Sequence, residues 1–255
     1  MKFDKPVPGG PCWTELGTND IEAAKRFYTE LFGWRPETDP RQEAGGYTLA
    51  RLGDAAVAGL TPLMEDEAMP VAWHVTFAAA DAEATCEAVR KAGGSIVLEP
   101  TDVFDLGRFA MAADPGGAGF QLWQARAFGG ADLLNAPGAL GWVELLTRDT
   151  QQATAFYQQV FGWSVNASPQ YTQWGVDGAD FGGMMEMGDR FPLGTLPHWL
   201  PYFAVEDVDA IARIASGAGA WILVEPTSVP DGPRISVLRD PQGAVFGVYL
   251  AEHEG

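Results

Sequence analysis

The chain has 255 residues, 47% of them hydrophobic and 20% charged, a globular composition with length for one large or two ordinary domains. Its 16 basic and 34 acidic residues leave a net charge of −18, which argues against nucleic acid or an anionic membrane as a partner, since both need a cationic surface. No apolar run reaches the about 20 residues of a membrane span. Residues 1–6 lack an apolar signal core, and Cys12 and Cys86 form neither a disulfide framework nor a metal knuckle, so a cytoplasmic protein is expected.

Residues 1–10, which end in Pro-Gly-Gly, read as a loose arm, and residues 11–18 as a strand. Strand alternation sends Trp13, Glu15 and Gly17 to one face, and Cys12, Thr14 and Leu16 to the other. Asp20 has the chemistry of a helix N-cap. Ile21, Ala24, Phe27, Tyr28 and Leu31 follow at helical spacing, and Gly33 suits the left-handed position that ends a helix. Short strands are predicted near 34–39, 46–52 and 55–61, then a loop at 62–70. The same order returns: a strand at 72–79, a cap at Asp81, a helical stripe from Ala82 to Ala92, and strands near 95–99, 107–113 and 118–124. Each stretch is a β-α-β-β-β unit.

A longer repeat lies over this one. Phe27-Tyr28-Thr29-Glu30-Leu31-Phe32-Gly33-Trp34 comes back as Phe156-Tyr157-Gln158-Gln159-Val160-Phe161-Gly162-Trp163, five of eight residues identical at an offset of 129. Trp142 and Glu144 answer Trp13 and Glu15, and Asp149 answers Asp20. Towards the end the offset becomes 126, with Trp199 for Trp73, Asp207 for Asp81 and Asp240-Pro241 for Asp114-Pro115. Four units therefore make two domains, at 6–126 and 137–251, joined by a linker at 127–136. The expected class is α+β: two tandem domains, each of two paired β-α-β-β-β units in a curved, cup-shaped mixed sheet with helices on its outer face.

A strand, a capping Asp, a helix closing on Phe-Tyr-x-x-x-Phe-Gly-Trp, and Asp-Pro-x-Gly before a final strand resemble the vicinal oxygen chelate superfamily, which includes glyoxalase I, bleomycin-resistance proteins and extradiol dioxygenases. The resemblance covers nearly the whole chain and is closest to actinobacterial two-domain glyoxalase-like proteins. It implies where metal ligands would stand. One lies seven residues before the capping Asp, one seven residues after the Asp of Asp-Pro, and one ends the first unit of each domain. Carried over, these positions hold Trp13, His74, Gln121 and Gly59 in the first domain, and Trp142, Leu200, Gly247 and Gly183 in the second. A catalytic divalent metal wants about three protein ligands. No family-type metal or other cofactor is therefore expected. A divalent metal is left open in the first domain only, through Glu15, His74 and Gln121.

His74 shares a strand face with Thr76 and Ala78, away from the bulky Trp73, Val75 and Phe77, and reads as facing the cavity. Glu15 and Glu144 face inward by alternation. Buried carboxylates need partners; Arg108 and Arg234 are candidates, and a general-base role weighs evenly against a structural one. Trp13, Gln121 and Trp123, with Trp142, Tyr202 and Tyr249, give a flat apolar lining with a few polar handles, which suits an aromatic ligand; core packing is the competing reading. Tyr47, Tyr171, Trp174 and Met184 extend that lining. No phosphate-binding Gly loop and no Gly-x-Ser-x-Gly elbow occurs. The sequence thus points to binding of a small, aromatic or planar metabolite by a monomer or homodimer. The alternative is an enzyme of the same superfamily, either metal-free with Glu15 or Glu144 as base or metal-dependent in the first domain.

Overall fold

The computed structural model describes residues 6–63, 70–168, 171–189, 191–230 and 232–251. Most of the loop expected at 62–70 lies outside them.

The first module runs β1 (Pro11–Thr18), α1 (Ile21–Phe32), β2 (Arg35–Thr38), a 3-10 turn at Gln42–Ala44, β3 (Thr48–Leu52) and β4 (Ala55–Pro62). The second is β5 (Ala72–Ala78), α2 (Ala82–Lys91), β6 (Ser95–Val103), β7 (Gly107–Ala113) and β8 (Gly119–Ala125). The third is β9 (Leu140–Thr147), α3 (Thr150–Phe161), β10 (Ser164–Ala167), β11 (Thr172–Val176) and β12 (Ala179–Glu186). The fourth is β13 (His198–Val205), α4 (Val208–Gly217), β14 (Trp221–Ser228), β15 (Arg234–Arg239) and β16 (Val245–Leu250). These strands form two mixed eight-stranded sheets, ordered β2-β3-β4-β1-β5-β8-β7-β6 and β10-β11-β12-β9-β13-β16-β15-β14. The α+β class with two tandem domains is the observed one.

The helix boundaries follow from local chemistry. Asp20, Asp81, Asp149 and Asp207 each accept a hydrogen bond from the backbone N–H three residues on, capping α1 to α4. Gly33 and Gly162 end α1 and α3 at φ +70, in the left-handed region where a side chain is strained.

By spatial contact the chain divides into two compact units that draw on both repeats. One comprises residues 1–13, 74–130 and 142–200; the other comprises 14–73, 131–141 and 201–255. In the second unit the helix aromatics Phe27, Tyr28 and Phe32 pack with Trp34 and Trp73 and also against Phe203 and Phe246 of the fourth module. Trp73 Nε1 donates to Tyr28 Oη at 2.8 Å, and Tyr28 Oη donates to Asp240 Oδ2 at 2.9 Å. The first unit has the same arrangement. Trp199 Nε1 donates to Tyr157 Oη at 2.9 Å, Tyr157 Oη donates to Asp114 Oδ2 at 3.1 Å, and Phe77 and Phe120 meet Phe161, Trp163 and Phe156. Burial pushes both aspartates above the usual carboxylate range, against the pull of the tyrosine hydroxyls and of backbone N–H groups.

Candidate functional site

Cross-strand register puts Glu15 opposite Gly59, Gly17 opposite Thr61 and Leu49 opposite Gly59. Glu15, Tyr47, Gly59 and Thr61 therefore share one strand face, within the second compact unit. Burial drives the Glu15 carboxyl above its ordinary range, and the hydroxyls of Thr61 and Tyr47 pull it back. Thr61 is close enough to act on the carboxylate but lies off hydrogen-bonding geometry: its Oγ1 is buried without a partner. This face thus holds a buried carboxyl group, a phenol and an orphaned hydroxyl side by side. Such an arrangement is open to a further polar group.

The first unit repeats the arrangement around Glu144, which is only 8% exposed. Gly183 lies opposite Glu144, and Gln173 opposite Gly183. Trp142, two residues before Glu144, shares its face. Trp142 Nε1 donates to Tyr171 Oη at 3.0 Å, and the tyrosine hydroxyl in turn hydrogen-bonds Glu144. Burial, followed by the Glu144 charge, pushes the Tyr171 hydroxyl well above its ordinary pKa, so it stays a donor. A Cβ on Gly183 would stand 2.2 Å from Tyr171 Oη, so the phenol lies flat on a bare backbone. Tyr47 and Tyr171 occupy matching places, each twelve residues before Gly59 or Gly183.

Two corrections follow. The partners of the two glutamates include tyrosines, not the expected arginines: Arg108 pairs with Glu83 and Asp102, and Arg234 with Asp209. Trp174 does not line a cavity. It is fully buried beside Tyr157 and Trp163, on the helix-packed face. The reason is parity, since Trp174 lies an odd number of residues from Tyr171 and next to Gln173, which shares the Glu144 face. Met184 is likewise buried, one residue past Gly183 and off its face.

The remaining predicted residues are distributed as follows. In the first unit, Thr76 Oγ1 donates to Gln121 Oε1 at 2.7 Å, and both are buried. His74 is half-buried on the face of Thr76, and desolvation lowers its pKa, favouring the neutral imidazole. Trp13 and Trp123 each meet the edge of Phe128, whose carbonyl accepts from Trp123 Nε1 at 2.8 Å. Phe128, in the expected linker, was not foreseen. In the second unit, the Tyr202 ring lies over Gly247, where a Cβ would come within 2.1 Å of it. Tyr249 Oη donates to Asn135 Oδ1 at 2.6 Å.

A divalent metal of the family type does not fit the carried-over positions of the second domain. Positions 183 and 247 carry no side chain, and tyrosine rings take the space where one would extend. Leu200 and Trp142 offer no suitable donor. Among the described residues no three His, Cys, Asp or Glu side chains gather as a metal-holding group. No helix among them is long and apolar enough to cross a membrane.

A family model described as the Glyoxalase/Bleomycin resistance protein/Dioxygenase superfamily matches residues 12–122 and 139–248. CFP32 of Mycobacterium tuberculosis (strain CDC 1551 / Oshkosh) is 40% identical over 249 residues, 94% of each chain. The anthracycline biosynthesis protein DauV of Streptomyces sp. (strain C5) is 36% identical over 259 residues, 95% of this chain and 93% of its own. Among solved structures, the Mn(II)-bound glyoxalase from Novosphingobium aromaticivorans superposes with a TM-score of 0.69 at 19% identity, over 98% of this chain and 84% of that one.

Proposed function

The chain belongs to the glyoxalase/bleomycin resistance protein/dioxygenase superfamily, and on that premise we propose that it binds a small, aromatic or otherwise planar metabolite without a family-type metal. The observation that carries this reading is the Glu15 face. A carboxyl group raised by burial sits beside an orphaned Thr61 hydroxyl and the Tyr47 phenol. A ligand hydroxyl or amine would satisfy these groups, and water would serve them less completely in an apolar setting. In this proposal Tyr202 and Tyr249 are further candidate contacts in the second unit, and Trp13, His74, Gln121, Trp142 and Glu144 are candidate contacts of the first unit taken by itself. The DauV relative is named for anthracycline biosynthesis, so a planar polycyclic arene is the first ligand to assay.

Metal content of protein purified without a histidine tag tests the metal-free part of the reading. Titration with Zn²⁺, Fe²⁺, Ni²⁺ and Mn²⁺ by calorimetry should give no binding heat. Near-stoichiometric metal that is lost in His74→Ala would overturn it. Quenching of tryptophan fluorescence by polycyclic arenes tests the ligand class.

A second reading has its own support. A carboxyl whose pKa is raised by burial is a stronger proton acceptor than an exposed one, and in this second reading Glu15 serves as a general base on a phenol or carbonyl substrate. Glu15→Gln separates the two. A binder keeps its arene affinity within a few-fold, whereas a base-catalysed reaction loses turnover by about 10²-fold or more with affinity retained.

A further inference from the structure

The clearest unassigned arrangement is the slot on β9 and β12 that the chain fills with its own side chain. Trp142 and Glu144 stand two residues apart on one rigid strand, one an N–H donor and the other an acceptor. Gly183 on the neighbouring strand removes the side chain that would otherwise project between them and the phenol. A tyrosine hydroxyl lies in this slot, receiving a hydrogen bond from the indole and giving one to the carboxylate. Each group is matched to one feature of a phenol: the lone pair, the proton and the flat face.

The occupant is held differently from the slot. Tyr171 precedes β11 and closes the turn from β10, whose last ladder pair is Ala167 with Thr172. Among the described residues its backbone hydrogen-bonds to Ser168: Ser168 N and Oγ donate to Tyr171 O at 2.8 and 2.9 Å, and Tyr171 N donates to Ser168 Oγ at 3.2 Å. The ring can therefore leave by side-chain rotation with the β10–β11 and β11–β12 ladders intact, whereas Trp142, Glu144 and Gly183 are fixed by the β9–β12 pairing.

We propose that Trp142, Glu144 and Gly183 form a receptor for a phenolic hydroxyl, occupied by Tyr171 as an internal stand-in that an incoming hydroxyarene displaces. This deepens the reading above by naming the ligand class, hydroxyarenes rather than arenes in general, and it rests on that reading. The tyrosine competes at high effective concentration because it is tethered, so a simple phenol binds the wild-type slot weakly.

The test uses p-cresol, which is the tyrosine side chain cut free, and toluene, the same molecule without the hydroxyl. Calorimetry on Tyr171→Ala should show p-cresol binding at least tenfold tighter than to wild type. The gain should vanish on adding Glu144→Met, which keeps the length of the side chain without its acceptor, and fall on adding Trp142→Phe, and toluene should bind at least tenfold more weakly than p-cresol. Equal binding of p-cresol and toluene would identify an apolar hole and overturn the proposal, as would binding that ignores Glu144→Met. If Tyr171→Ala melts too low for calorimetry, saturating p-cresol should raise its Tm while toluene does not. A variant that stays unfolded in p-cresol also overturns the proposal, because a receptor for the free phenol recovers the lost contact. The response of arene binding to Glu15→Gln reads the Glu15 face, and p-cresol binding to Tyr171→Ala reads this slot, so the two readings fail separately: a negative result here leaves arene binding at the Glu15 face standing, and arene binding that is absent on wild type while p-cresol still binds Tyr171→Ala withdraws only the reading at Glu15.

Discussion

A carboxyl group in an apolar setting prefers its proton, and Glu15 is the site residue where this preference can be measured. Its pKa in the folded chain is raised by burial. The folded state therefore holds the proton more tightly than the unfolded one. The resulting stability is present below the ordinary carboxylate range and is lost as pH rises through the raised value. Glu15→Gln does not titrate. The Tm difference between variant and wild type should therefore grow in the variant's favour as pH rises above the ordinary carboxylate range of about 4. A difference that stays constant with pH would mean that Glu15 titrates as an exposed acid does. The acids themselves were legible by strand alternation, but the tyrosines facing them were less so. Tyr47 and Tyr171 align at an offset of 124, whereas their flanks align at 129 and 126, because the intervening loops differ in length. Arg108 and Arg234 misled because side-chain reach is not written in alternation, and acids nearer at hand, Glu83 and Asp209, claim them.

At the scale of elements, two kinds of glycine separate what the sequence announces from what only packing shows. Gly162 closes α3 at φ +70 with open space around it, so Gly162→Ala should cost about 1 kcal/mol through the backbone alone. Gly247 has no positive φ, yet a Cβ there would run into the Tyr202 ring at 2.1 Å. Gly247→Ala should therefore cost about 1–3 kcal/mol and move the ring. Chemical denaturation of both variants, with tyrosine absorbance followed in the second, checks the ranking; a larger loss at Gly162 would contradict it. The first glycine follows from the helix pattern in the sequence. The second was visible only as a missing metal ligand, and the reason for it is a tyrosine on the paired strand, Tyr202 opposite Gly247. The misplaced Trp174 belongs at this scale too. Register shifts between Trp174 and Gly175, so Phe181 of β12 stands outside the regular pairing and turns with Trp174 toward the core. Val57 of β4 sits at the matching shift in the other repeat.

For the whole molecule, the repeat shows that there are two copies, but not which module packs on which. The apolar stripe of α1, with Ala24, Phe27, Tyr28 and Leu31, marks a buried face and could suit any of four similar modules. In the structure Phe32 and Trp34 meet Phe203, and Tyr28 reaches Asp240, so the first module's core is completed by residues more than a hundred positions away. The Tyr157–Asp114 pair does the same between the third module and the second. Removing that hydroxyl in Tyr157→Phe leaves Trp199 N–H and a buried carboxylate oxygen short of a partner, and should cost about 2–3 kcal/mol. Cutting the chain between the repeats is the stronger test. A half-chain of residues 1–130 keeps Phe27, Tyr28, Phe32, Trp34 and Trp73 but loses residues 201–255, which complete that unit. It loses residues 142–200 from the other unit as well, so neither core is whole. Each half alone should lack a cooperative thermal transition and should bind a hydrophobic dye, while co-expression of the two restores a single folded species with a sharp melt. A cooperative melt of the 1–130 half by itself would show that the modules within one repeat can complete each other's cores, and that the pairing across repeats is one of two accessible arrangements.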